Sequence, residues 1–275
     1  ALLFKPVLAG RILRFFRWTG SIRARLLFTC PDSEYCGVMQ TRIISIGVFL
    51  LALAAFATAQ PSSDFAAEKE LARLAVEAHG GKKLRQMKTL VVTGGVDITT
   101  SQFPQAIPAT FVTIFAGDRY RFELNNPFQP IRQANDGTKT TSTIQNGFTL
   151  PPVNRIGFPV LQRIGETGFV VTAIPDNKKK RKGFRVTSPE GYHTDFFLDA
   201  KSNQVKSFDS VYTVGGRSVT TSAEIDRLKL VDGVLVPERY VQRFDLDQFT
   251  VYANFKAREI NVNGDVADDV FVVGE

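Results

Sequence analysis

Beyond Cys36 the chain has no cysteine, and over its whole 275 residues it has only two histidines, His79 and His193, and one tryptophan, Trp18. A chain without cysteine downstream of residue 36 forms no disulfide there and offers neither a thiolate nucleophile nor a thiolate metal ligand. His193 and Asp195 stand two apart on one strand face, but two ligands without a Cys or a second His make a poor metal site, so they read as polar-face residues. Asp245 and Asp247 are spaced like a pair of acid/base carboxylates, and the polar face of a strand explains them as well. G-x-S-x-G, a glycine-rich phosphate loop and H-E-x-x-H are all absent. His79 closes a helix beside two glycines, where a cation at a helix C-terminus or a surface role outweighs catalysis. No catalytic residue, metal site or cofactor is therefore expected, and an enzyme is the least favoured class.

Charge of one sign is also scarcer than the formal net of +7 suggests. Seven of the 34 basic residues and two of the 27 acidic ones precede Gln60, which leaves 27 against 25, a net of +2. The basicity belongs to the leader, so affinity for a polyanion is not a property of the domain, and no nucleic-acid partner is expected. From Met39 the leader reads as a signal peptide: Arg42 as basic flank, an apolar run from Ile43 to Ala57, and Ala57-Thr58-Ala59 as cleavage site. The apolar run is shorter than the ~20 residues a membrane span needs. Residues 1–38 read as translated upstream sequence, 39–59 as the signal peptide and 60–275 as one domain. The expected location is the periplasm, or outside the cell, after cleavage near Gln60.

What the chain does have is alternation. From Phe184 to Val262 about five apolar/polar runs follow one another, each ended by a turn signal, and they read as consecutive antiparallel strands. The apolar face is read as Tyr192, Phe196 and Leu198; Leu228 and Leu230; Tyr240, Phe244 and Leu246; Phe249, Val251 and Phe255. A sheet with one apolar face must be covered by a second sheet, by helices or by a bound apolar ligand.

Upstream, Ala66 to His79 has helical spacing, with Leu71, Leu74, Ala75 and Ala78 on the expected buried face and Gly80-Gly81 as the C-cap. A strand follows from Thr89 to Thr99. Gly117-Asp118 and Asp136-Gly137 mark two hairpins, in the first of which Tyr120, Phe122 and Leu124 alternate with charged residues. The period then changes: Ile156, Val160, Leu161 and Ile164 are spaced for one helix face, with Pro159 in its first turn. Beyond this inserted helix, Lys178, Lys179, Lys180, Arg181 and Lys182 form a run of five cations in a hairpin. Its plainer reading is a solvated tip; its functional reading is docking to an acidic protein or an anionic membrane surface.

Several local signatures together resemble the periplasmic outer-membrane lipoprotein carrier and lipoprotein-sorting-protein-like superfamily (the LolA/LolB-like fold). They are Ala78-His79-Gly80-Gly81 with Lys82-Lys83-Leu84, Thr93 to Val96, Gly117 to Glu123, Asn135-Asp136-Gly137, Asp232 to Pro237, and Ile260 to Asn263 with Asp268, Asp269 and Phe271. Thr138 stands where that group often carries a tryptophan after Asp-Gly. The resemblance implies a mainly β (α+β) fold, a curved, unclosed antiparallel sheet or half-barrel wrapped around one or two helices, leaving an apolar cavity for acyl chains.

The expected function is that of a non-catalytic, monomeric carrier for an apolar ligand, a lipid or the acyl chain of a lipoprotein. The expected cavity lies between the sheet face of Phe122, Leu124, Phe196, Leu198, Phe249 and Phe255 and the inserted helix with Val160, Leu161 and Ile164. The alternative is a structural or interaction protein of the cell envelope whose sheet is filled by its own side chains.

Overall fold

The computed structural model describes residues 65–102, 105–128, 130–143, 150, 152–175, 177, 180–214, 216–246 and 249–272. The signal-peptide reading and the upstream segment lie outside these residues. Two short α-helices open the described chain, α1 (Ala66–Ala78) and α2 (Lys82–Arg85). Five strands follow: β1 (Leu90–Thr100), β2 (Ile107–Ala116), β3 (Arg119–Asn125), β4 (Ile131–Asn135) and β5 (Thr140–Ser142). After a 3-10 helix, η1 (Phe158–Arg163), come β6 (Val170–Thr172), β7 (Gly183–Thr187), β8 (His193–Leu198), β9 (Val205–Val214), β10 (Arg217–Val231), β11 (Val234–Leu246) and β12 (Phe249–Val262). A second 3-10 turn, η2 (Asp268–Phe271), ends the described chain.

Among the described residues the strands form one 12-stranded antiparallel sheet in the order β5-β4-β3-β2-β1-β12-β11-β10-β9-β8-β7-β6. The first and last strands are neighbours near its middle, so the chain lays down five strands outward from β1 and then returns through the other seven to β12. Every other strand neighbour is a neighbour in sequence. The turns supply the reason: Asp232 and Gly233, with φ of 50 and 81, make the two-residue connection whose twist matches the flanking strands of β10 and β11. The sheet is unclosed, with β5 and β6 as its edges. It also curves. One core cluster joins Phe111 of β2 to Phe184 of β7, strands seven places apart, which a flat sheet would hold about 30 Å from each other. The result is an open half-barrel.

The helices and η1 fill the concavity. The face of α1 that is buried is Ala72, Ala75 and Val76, continued by His79, each at 0% exposure. This corrects the sequence reading, which centred the face on Leu71, Leu74, Ala75 and Ala78: the stripe is rotated by about one residue, and small side chains let α1 sit close to β6 and β7. Leu71 packs at the margin. The inserted segment is a 3-10 helix, not an α-helix, opened by Gly157 at φ 68 and Pro159.

A second correction concerns β10. Leu230 is 67% exposed, and Leu228 shares its parity, so both lie on the outer face. The inner face of this strand is carried by Thr221, Ala223 and Ile225, opposite Phe244, Gln242 and Tyr240 of β11. Because residues directly opposite in an antiparallel pair point the same way, the aromatic residues of β11 decide which parity of β10 faces inward.

His79, expected at a surface or as a helix-end cation, is fully buried. Its Nδ1–H donates to the Leu235 carbonyl (2.7 Å) and its Nε2 accepts the Val205 N–H (3.0 Å). Accepting at Nε2 requires the neutral ring, and burial lowers the imidazole pKa accordingly. The ring thus ties the end of α1 to the first residues of β9 and β11.

A candidate apolar binding cavity

Between the sheet and η1 lies a cavity of about 130 Å³. Its walls come from distant parts of the sheet. Phe122 of β3 and Phe208 of β9 both line it, although those strands stand six places apart in the sheet order. Curvature builds this site, because only a strongly bent sheet brings those two strands to one space. From the insert come Ile156, Gly157, Phe158 and Pro159. The positive φ of Gly157 is a requirement of packing as well as of chain direction, since a Cβ there would fall 2.9 Å from the ring of Phe208.

Of the residues expected at the cavity, Phe122 and Phe255 line it. Val160, Leu161, Phe196 and Leu198 belong to the buried core beside it, while Leu124 and Ile164 are partly buried against that core. The side chain of Phe249 lies outside the described residues. The division within η1 is geometric: Phe158 and Pro159 turn to the cavity, and Val160 and Leu161, at 1% and 0% exposure, turn into the core. An α-helical spacing over Ile156 to Ile164 puts all four apolar residues on one face; the 3-10 geometry does not. Sequence reasoning missed Phe111, Phe158 and Phe208. Alternation marks Phe111 and Phe208 as inward, but which inward residues meet is set by the bend of the sheet, and the side on which Phe158 falls is set by the winding of the insert.

The insert is anchored on several sides. Arg163 and Arg155 both reach Asp118 in the β2–β3 turn, at 2.8 and 3.1 Å. The Arg163 hydrogen bond holds the Asp118 carboxyl below the usual carboxylate range. Gln162 donates to the Met87 carbonyl at 2.5 Å, and the N–H of Gly157 donates to Thr194 Oγ1 at 3.0 Å. On the other side of the cavity, Gln133 is bonded to both backbone groups of Leu150, a lining residue, and donates to the Tyr120 hydroxyl at 2.7 Å. The walls are therefore held by hydrogen bonds that do not depend on a ligand.

The remaining sequence candidates fall elsewhere. In the cationic run, Lys178 and Lys179 lie outside the described residues, and Lys180 is exposed. Arg181 instead lies over the ring of Phe197, 3.2 Å from its centroid, with Asp209 at 3.7 Å. Lys182 donates to the Ala200 carbonyl and to Asn203. The run is thus not a uniformly solvated tip: its last two cations fold back on the sheet. Asp195 accepts from Nε and Nη2 of Arg185, at 2.5 and 2.8 Å, and Asp245 accepts from Arg243 and Thr250.

Fold and cavity together define an open antiparallel half-barrel with an apolar interior site. Several solved structures are similar to it, three of them as follows. A LolA superfamily protein from Nitrosomonas europaea is 9% identical with a TM-score of 0.46, over 75% of this chain and 97% of that one. A DUF1329 family protein from Desulfovibrio piger is 9% identical with a TM-score of 0.45, over 74% and 97%. A domain described as an outer membrane lipoprotein-sorting protein domain, from Vibrio parahaemolyticus, is 8% identical with a TM-score of 0.43, over 74% and 96%. No protein-family model matches the chain, and no curated protein matches it.

Proposed function

We propose that this protein binds an apolar ligand, a lipid or the acyl chain of a lipoprotein, in the cavity between the sheet and η1, and carries it without chemical change. The observation that supports this reading is the cavity itself: a space of about 130 Å³ lined, among the described residues, by no charged side chain. Each acyl CH₂ moved from water into such a space contributes roughly 0.8 kcal/mol. The placement in the periplasm, or outside the cell, rests on the reading of Met39 to Ala59 as an export signal. Lys180, with its neighbours in the cationic run, is the proposed contact for an acidic protein or an anionic membrane surface.

A filled envelope protein remains the second reading, because Val160, Leu161, Phe196 and Leu198 pack as ordinary core. One experiment separates the two. The purified chain is titrated with the neutral fluorophore N-phenyl-1-naphthylamine and its native preparation is screened for lipid by mass spectrometry. Saturable fluorescence enhancement with co-purifying lipid supports the carrier; no enhancement and no lipid supports the filled core.

A further inference from the structure

The β11 wall of the cavity carries two polar side chains whose free atoms are defined by the hydrogen bonds around them. Thr221 donates its hydroxyl proton to the Arg243 carbonyl at 2.8 Å. With that proton used, its oxygen can only accept, so the group of Gln242 facing it at 3.0 Å must be the amide nitrogen. The Gln242 carbonyl oxygen is left as an acceptor with no partner among the described residues. Two residues back on the same strand face, Tyr240 stacks on Phe255 with ring centroids 4.7 Å apart. Its hydroxyl likewise has no partner among the described residues. Burial pushes the phenol pKa up, so at neutral pH the group is a protonated donor.

Both side chains line the cavity, and the wall therefore offers one free donor and one free acceptor on residues two apart on one strand face, whose backbones stand about 7 Å apart. The described lining holds no Lys, Arg or His to neutralise an anion, and an unpaired carboxylate in such a site is strongly disfavoured. A pure hydrocarbon leaves both polar atoms unmatched.

We propose that the ligand carries a neutral hydrogen-bonding head, a carbonyl close to a donor as in a secondary fatty amide, set against Tyr240 and Gln242, and that free carboxylates are excluded. This rests on the reading of the cavity as a ligand site. The test is displacement of bound N-phenyl-1-naphthylamine by four eight-carbon probes: N-methyloctanamide, methyl octanoate, octanoate and octane. At about pH 8 the amide is expected to displace the fluorophore at a concentration roughly tenfold below that of octanoate, with the ester between them. Tyr240→Phe should raise the concentration of amide required by about three- to tenfold, the range for one hydrogen bond, and leave octane unchanged. Octanoate competing as well as the amide overturns the proposal, as does a folded Tyr240→Phe variant with unaltered amide binding. If that variant does not fold, the rank order of the four probes on the natural chain decides alone. Fluorophore binding with the wrong rank order defeats only the head-group assignment, whereas absence of fluorophore binding defeats the cavity reading and this inference with it.

Discussion

His79 Nε2 accepts the backbone N–H of Val205 at 3.0 Å, across 126 residues of chain. With the opposite nitrogen bonded to Leu235, one ring satisfies two buried backbone groups on different strands. His79→Leu leaves both unpaired, and at about 1–3 kcal/mol for each orphaned group the loss should be roughly 2–6 kcal/mol by urea denaturation. The pH dependence has a definite sign. The folded pKa lies below the ordinary 6.5, with desolvation as the main cause, so the unfolded chain takes up the proton first. This contribution is complete above the unfolded pKa and declines as pH falls below about 6.5. His193, also lowered, adds a slope of the same sign. The difference between wild type and His79→Leu between about pH 7.5 and pH 5 isolates the His79 share; equal slopes would show that the ring is not held neutral.

Gly94 occupies the irregularity where β1 changes register against β12, the seam joining the two halves of the sheet. A Cβ there would run into the Lys256 carbonyl and fall 2.9 Å from both Ala257 Cα and the Phe111 ring. Gly94→Ala should cost about 1–3 kcal/mol in chemical denaturation, because backbone on one side and a fully buried ring on the other must shift. Gly117→Ala is the control: its φ is +62 but nothing lies within 4 Å of the added carbon, so about 1–2 kcal/mol of conformational strain is the whole expected effect.

Leu161 and Phe244 separate core from cavity. Leu161 is fully buried and is not a lining residue, so Leu161→Glu places an unpaired charge in the core and should unfold the domain or destabilise it by about 3 kcal/mol or more. Phe244 is half-buried and lines the cavity. Phe244→Lys should abolish fluorophore binding and leave the strand signal in circular dichroism largely intact, since the long side chain can reach water. Retained binding in a folded Phe244→Lys protein would place the ligand elsewhere.

The cationic hairpin divides in the same way. Lys180→Ser should change stability by no more than about 0.5 kcal/mol, whereas Arg181→Ser removes the contact with the Phe197 ring and should cost about 0.5–1 kcal/mol. For docking the expectation reverses: Lys180→Ser should weaken binding to anionic vesicles and flatten its salt dependence. Vesicle binding that is absent, or indifferent to salt, removes the docking reading.

The local rules of the fold were written in the sequence. Tyr120, Phe122 and Leu124 alternate with Arg119, Arg121 and Glu123, and the strand observed over Arg119–Asn125 follows from that alternation. Asp232-Gly233 and Gly117-Asp118 stand where the hairpins turn, because their backbone conformations are open to few other residue pairs. Side-chain period and turn chemistry act between near neighbours, so a single sequence suffices to read them.

Only the tertiary structure decided the rest. On β10 both parities carry apolar residues, and pairing with Tyr240 and Phe244 turned Ala223 and Ile225 inward and left Leu230 in water. His79 looked like a helix end until Val205 and Leu235 arrived from far along the chain. The cavity joined Phe122 to Phe208 because the sheet bends, and placed Phe158 on its wall while Leu161 went into the core because the insert winds as a 3-10 helix. Alternation determines which residues share a face of a strand; which face is buried, and what it meets, depends on curvature and packing that no local stretch encodes.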